Sequence, residues 1–133
     1  MLLIQTNASE PSTDYVTHWL QHFGMPFCRI NETCRIGLQD FDIQKPITLK
    51  IHYSKLNTAT TLNLSDVSTY WYRRGKLVLN TVPATFQSSS DNEQNLIYNN
   101  IGFYVREEQK KITDLLNQLF EQKNGVGKQF ENL

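Results

Sequence analysis

The sequence predicts an α/β fold, a mainly parallel sheet carrying an antiparallel β-hairpin addition and a long C-terminal helix. Three observations predict it. A short apolar run, an amphipathic helical stretch and a second apolar run follow one another within the first 30 residues, the spacing of a right-handed crossover between parallel strands. A run of branched and aromatic residues recurs at 67–72, which suits a central strand. Finally, apolar positions keep a helical rhythm from about Asp91 to Gln122, too long for anything but a dominant helix.

Taken in order, residues 2–6 form the first apolar run, and the polar stretch from Asn7 to Pro11 ends it. Ser12 is placed to cap a helix in which Tyr15, Val16, Trp19, Leu20 and Phe23 recur at helical spacing. Asp14 sits in its first turn, where the helix dipole favours a negative charge, and Gly24 supplies the stop. Pro26 to Ile30 reads as a second buried strand. Thr33 to Leu38 and Ile47 to Tyr53 are β-like runs joined by a polar link ending at Pro46, hence an antiparallel pair added to the sheet. Leu64-Ser65-Asp66 opens a single helical turn before the run Val67 to Tyr72. Leu77-Val78-Leu79 is one more short apolar run, and Pro83 with Ser88, Ser89 and Ser90 is loop chemistry. In the long helix Ile97, Ile101, Tyr104, Val105, Ile112, Leu115, Leu116, Leu119 and Phe120 form the stripe, Gly102 is the internal weak point, and Gly125 and Gly127 mark the end. A helix of that length measures roughly 45 Å, so part of it is expected to break or to pack against another surface.

Composition narrows the function classes. The 133 residues make one domain. Thirteen basic residues balance thirteen acidic ones, so the broad positive field of a sequence-independent nucleic-acid binder is missing. The start Met1-Leu2-Leu3-Ile4 runs straight into Gln5-Thr6-Asn7, too short for a signal-peptide core, and no stretch approaches the roughly 20 apolar residues that span a bilayer. The expectation is a cytoplasmic protein with no membrane partner. In that compartment the N-x-[ST] triplets at Asn7, Asn31 and Asn63 stay unglycosylated and Cys28 and Cys34 stay reduced.

Trp71-Tyr72-Arg73-Arg74-Gly75 is the most distinctive string. Two guanidiniums at the mouth of a strand can hold a carboxylate or phosphate in bidentate fashion, and in open α/β sheets ligands gather outside the carboxyl ends of the strands. The competing structural reading sends one arginine to a carboxylate of the chain, the other to solvent, and Trp71 into core packing. The turn carrying Thr6, Asn7, Ser12 and Thr13 presents N–H groups and hydroxyls to an anion. It contains no glycine, which argues against a dinucleotide and for ordinary capping. His18 and His22 stand four apart on one helix face, but the pattern lacks the glutamate of a zinc-protease helix, and flanking surface histidines explain it better. Cys28 and Cys34 do not form a C-x-x-C, and neither receives a role. No phosphate-binding loop, nucleophile elbow or carboxylate cluster at metal-binding spacing is visible, so no catalytic or metal residue is assigned.

Leu3-Ile4-Gln5-Thr6-Asn7 with Pro11-Ser12-Thr13-Asp14, then Trp19-Leu20, Phe27 with Arg29-Ile30-Asn31, and Leu64-Ser65-Asp66-Val67 leading into Trp71-Tyr72-Arg73-Arg74-Gly75, occur together and in order. This set resembles the N-terminal region of ATP-grasp ribosomal peptide maturases, in particular the grasp-with-SPASM branch of the graspetide, or microviridin-type, ligases. The resemblance runs over essentially the whole chain. It implies a pre-ATP-grasp, Rossmann-like domain over residues 1–124 and, over 125–133, the start of a linker to central and C-terminal catalytic domains. Members of that family use ATP and magnesium to activate side-chain carboxylates of a precursor peptide as acyl phosphates, which lysine, serine or threonine side chains attack. The nucleotide-binding lysines and magnesium-binding acids of the family lie in those catalytic domains, so these residues alone are expected to hold no cofactor and to turn over no ATP. Arg73 and Arg74, with Trp71 and Tyr72, are the residues expected to face the ligand cleft or the neighbouring catalytic domain. The implied partners are the precursor peptide and the catalytic domains. The alternative is a non-catalytic interaction module that homodimerises or docks a peptide by strand addition.

Overall fold

The computed structural model describes residues 1–40, 42, 44–80 and 91–126. In chain order these form β1 (Leu2–Gln5), α1 (Pro11–His22), β2 (Phe27–Ile30), β3 (Cys34–Asp40), β4 (Thr48–Tyr53), β5 (Thr58–Asn63), a 3-10 turn at Leu64–Asp66, β6 (Thr69–Tyr72), α2 (Asp91–Glu121) and β7 (Asn124–Val126). The parallel sheet has the order β2-β1-β6-β7. Leu2 is level with both Phe27 and Thr69, and Gln5 with both Ile30 and Tyr72, so the carboxyl ends of three strands finish side by side. Thr69 to Trp71 pair in parallel with Asn124 to Val126, which places Gly125 inside a strand and not at a helix end. Residues 127–133, including Gly127, and the Pro83 and triple-serine stretch fall outside the described residues.

The antiparallel addition departs from the expected hairpin in two ways. It has three strands, ordered β3-β4-β5, and it forms a sheet of its own. Three of the six residues of the extra strand Thr58–Asn63 are threonine and its first four are exposed, so it lacks the apolar alternation that marks a strand in sequence. Both sheets share one core. Leu3, Cys28, Ile30 and Tyr70 come from the parallel sheet, Cys34, Ile36, Leu49, Ile51 and Leu62 from the antiparallel one, and Leu116 and Phe120 from α2. The Phe120 ring lies 5.3 Å from that of Tyr70. Residues 77–80 join the antiparallel edge, where the Ile36 N–H donates to Val78 O at 2.9 Å and the Asn80 N–H to Ile36 O at 2.7 Å.

Both helices differ from their sequence reading. In α1 the cap is Glu10, with extended backbone, and Ser12 lies inside the first turn. The cause is Pro11 at the first helical position, whose fixed φ and missing N–H suit that place. The stop is as read. Gly24, at φ +66°, donates to Gln21 O and Met25 to Leu20 O, a Schellman ending. The stripe Tyr15, Val16, Trp19 and Phe23 is exposed, because α1 turns Thr13 inward with Thr17 and Leu20 half-buried behind it. α2 runs unbroken for 31 residues, about 46 Å. Its last third packs on the core through Ile112, Leu116, Leu119 and Phe120, whereas Leu96, Phe103 and Tyr104 are exposed. Among the described residues no helix is long and apolar enough to cross a membrane.

Candidate functional site

The chain leaves β1 at Thr6 and β6 at Arg73, one strand apart, so the two segments meet at the carboxyl edge of the sheet. The junction is held by backbone and by one side chain. The Arg73 and Arg74 N–H groups both donate to Gln5 O, at 2.9 and 3.4 Å. The Gln5 amide donates to Gly75 O at 3.1 Å and accepts from the Tyr70 hydroxyl at 2.8 Å. Gly75 has φ +90°, and a Cβ there would stand 2.8 Å from Thr6 O. Only glycine permits that approach.

Glu10 occupies the centre of this edge and is only 7% exposed. Its carboxylate accepts from the Thr6 hydroxyl at 2.6 Å, the Ser12 hydroxyl at 3.2 Å and the Thr13 hydroxyl at 3.3 Å. It also accepts from Arg73 Nε at 3.0 Å, and Arg74 Nε stands 3.9 Å away. The Thr6 hydrogen bond and, beyond the opposing cost of burial, the Arg73 guanidinium hold the carboxyl below its ordinary range. Thr6 and Thr13 are fully buried and 3.2 Å apart, so each can turn to the other, but Glu10 is the acceptor that lets both donate at once.

Each residue singled out in the sequence has a place here. Thr6, Ser12 and Thr13 converge on Glu10, a carboxylate of the same chain. The Ala8 N–H in the same turn donates to both Glu32 carboxylate oxygens, at 3.1 and 3.0 Å. Asn7 offers its backbone carbonyl to Arg29 at 3.3 Å, and Arg29 is ion-paired with Asp14. Arg73 is held between Glu10 and Ser12, whereas the Arg74 side chain is 66% exposed and makes no hydrogen bond to Glu10. Tyr72 is half-buried against the core and its hydroxyl lies 3.5 Å from Gly75 O. Trp71 is half-buried on the opposite, α1 side of the strand, level with Ile4. His18 and His22 are exposed, and His22 sets its ring edge against Trp19 and Phe23, 5.7 and 5.3 Å between centroids. Among the described residues no group of three or more His, Cys, Asp or Glu comes together. Cys28 and Cys34 are buried free thiols, both pushed up chiefly by burial.

Sequence reasoning missed Glu10. The available signal was its position directly before Pro11, which marks a cap; nothing local says that its side chain turns away from the helix toward strand β6.

This edge can hold a negatively charged group against a rigid floor, and its arginine pair has one member committed and one open to solvent. No family model and no curated protein sequence matches the chain. Among solved structures it is similar to the macrocyclase MdnC from Microcystis aeruginosa MRC, a structure bound with the precursor peptide MdnA. The identity is 18% and the TM-score 0.52, over 90% of this chain and 34% of the macrocyclase. The chain therefore spans about a third of that protein's length, and what the two share is a fold.

Proposed function

We propose that the chain is the N-terminal, non-catalytic domain of an ATP-dependent ligase that cross-links side chains of a ribosomally made precursor peptide. The likeness to a peptide macrocyclase across nine-tenths of the chain carries this reading. The order of the resembling motifs supports it, since Trp71 to Gly75 emerge where open α/β sheets meet their ligands or neighbouring domains. In such an enzyme a carboxylate of the peptide would take the terminal phosphoryl group of ATP to give an acyl phosphate, and attack of an amine or hydroxyl on its acyl carbon, with release of phosphate and a proton, would close the ring.

The residues at hand do not fit a magnesium–nucleotide site. Glu10 is committed to three hydroxyls and Arg73, and Glu32 to a backbone N–H. Nucleotide and metal thus belong, in this proposal, to catalytic domains outside these residues. The part left to this domain is support: Arg73 locks the strand ends, and Arg74 faces the cleft or the adjoining domain.

The test is the complete reading frame, expressed with the peptide encoded beside it and supplied with ATP and magnesium. The expected product has lost one water per cross-link by mass, and Arg73→Ala with Arg74→Ala lowers its yield. A reading frame that stops at Leu133, or a peptide returned unchanged, overturns the proposal. The exposed aromatic faces of α1 and α2 favour a second reading, an interaction module that self-associates. Sedimentation separates the two, and a clean monomer at high concentration counts against self-association.

A further inference from the structure

Each sheet ends in an outer strand away from the arginine pair, β2 in the parallel layer and β5 in the antiparallel one. Residues of both border a cavity of about 360 Å³, lined by Met1, Phe27, Cys28, Tyr53, Thr60 and Leu62, among others. Thr60, Thr61 and Leu62 all touch it. Successive side chains of a strand address opposite faces, so the cavity reaches the outer edge of β5 as well as its inner face.

The hydrogen-bond pattern shows what that edge offers. The Leu64 N–H donates to Ile47 O at 2.9 Å, and the register runs on from Thr48↔Asn63 to Tyr53↔Thr58 without a bulge. Antiparallel pairs alternate between those that exchange hydrogen bonds and those that do not, so Thr58, Thr60 and Leu62 bond to β4, while Ala59 and Thr61 direct their N–H and C=O groups outward. The opposite edge of this sheet is covered where Ile36 bonds to Val78 and Asn80, whereas among the described residues β5 has no strand beyond it. Edges are ordinarily guarded by a charge, a proline or a bulge. Thr58 to Asn63 has none of these, and its first four residues are exposed.

The cavity decides what such an edge would take. Its lining is mainly apolar, and its polar members are engaged. The Met1 amine donates to Asp66 O and to the Ser68 hydroxyl at 2.9 and 3.3 Å, Arg29 is ion-paired with Asp14, and the Tyr53 hydroxyl lies 3.6 Å from Cys28 Sγ. A strand added to β5 turns alternate side chains to the inner face that Thr60 and Leu62 share, and so into this space. A second copy of β5, paired about a two-fold axis, would bring only threonines and a Leu62 that its own core already buries. The cavity calls for a large apolar side chain that β5 itself does not carry.

From the unguarded edge and the apolar cavity behind it, we infer that β5 is a docking site for an extended, uncharged peptide segment. The segment pairs through its backbone with Ala59 and Thr61 and sets one large apolar side chain among Phe27, Tyr53 and Leu62.

The test titrates the 133-residue chain with fluorescein-labelled Ser-Thr-Thr-Phe-Thr-Thr-Ser, followed by anisotropy. The peptide binds saturably, and added salt leaves its affinity unchanged, since no ion pair forms. Alanine in place of its phenylalanine weakens binding at least about tenfold, as the lost burial of one aromatic side chain implies. N-methylation of its third and fifth residues, or of its second and sixth, removes binding in one case and spares it in the other, because only alternate N–H groups face β5. Thr61→Pro deletes an outward N–H while sparing the bonds to β4, and abolishes binding with circular dichroism unchanged. Equal binding of the phenylalanine and alanine peptides, or equal tolerance of both methylation patterns, overturns the site and needs no variant to fold. Absence of saturable binding also overturns it, and a dimer in sedimentation that Thr61→Pro dissolves would then assign the edge to a second copy. The titration requires no ligase activity, so its failure and that of the ligase reading are separate events.

Discussion

Replacing Glu10 tests the logic of the strand-end cluster most directly. Glu10→Ala removes the acceptor of two fully buried hydroxyls, Thr6 and Thr13, together with the partner of Arg73. A buried donor left without an acceptor costs about 1–3 kcal/mol. Thr6 and Thr13 stand 3.2 Å apart, so one hydroxyl can turn to the other and only one is stranded. The Arg73 side chain is 43% exposed, and at that exposure solvent screening leaves the ion pair worth about 1 kcal/mol at most. Together these give a loss of about 3 kcal/mol for Glu10→Ala and, because an amide oxygen still accepts from Thr6, about 1–2 kcal/mol for Glu10→Gln. Urea unfolding at neutral pH reads this as a fall in midpoint of about 1–2 M at an ordinary slope.

The pH dependence has a definite sign. The folded carboxyl titrates below its ordinary value of 4.5, so its contribution is complete above that value and is lost as the pH falls through the lower, folded one. The gap between wild type and Glu10→Gln should be flat near neutrality and close on acidification below about 4.5. Wild-type stability in Glu10→Ala, or a gap that persists unchanged in acid, would refute the assignment of Glu10 as the anion that organises this edge.

Two further substitutions probe the frame around it. Gly75→Ala forces a side chain into φ +90° with Cβ 2.8 Å from Thr6 O; a loss of about 2–3 kcal/mol is expected, read as a lower thermal midpoint, and a midpoint equal to wild type would show that the junction yields. Phe120→Ala empties a fully buried site against Tyr70 and should cost about 3–5 kcal/mol, whereas Phe103→Ala, 54% exposed on the same helix, should stay within about 0.5 kcal/mol. Equal losses at the two positions in denaturant titrations would mean that the helix packs along its whole length.

The local pattern carried most of the parallel layer. Leu3, Ile4 and Val67 to Tyr72 are apolar or branched runs bounded by turn residues, and each became a strand or its approach. The 3-10 turn at Leu64–Asp66 and the glycine stop at Gly24 were equally legible, since the first depends on the Asn63 side chain accepting from the Ser65 N–H and the second on a residue with no Cβ at positive φ. The threonine-rich strand β5 was not legible, because its partner β4 and not its own alternation holds it in place. The exposed aromatic stripe of α1 escaped for a related reason. Helical spacing says which residues share a face, not which face meets the sheet.

Sequence by itself determined the fold class, the strand–helix–strand opening and the position of the arginine pair behind the strand that ends at Tyr72. These follow from periodicity and turn chemistry, which act within a few residues. Only the tertiary structure decided that Glu10 faces Arg73 across 63 positions of chain, that the antiparallel strands form a sheet of their own, and that β2 and β5 border one cavity. Those are contacts between distant segments, absent from any local window; the register of the parallel sheet brings Glu10 to Arg73, and burial of one shared core brings the antiparallel sheet and α2 onto the parallel one.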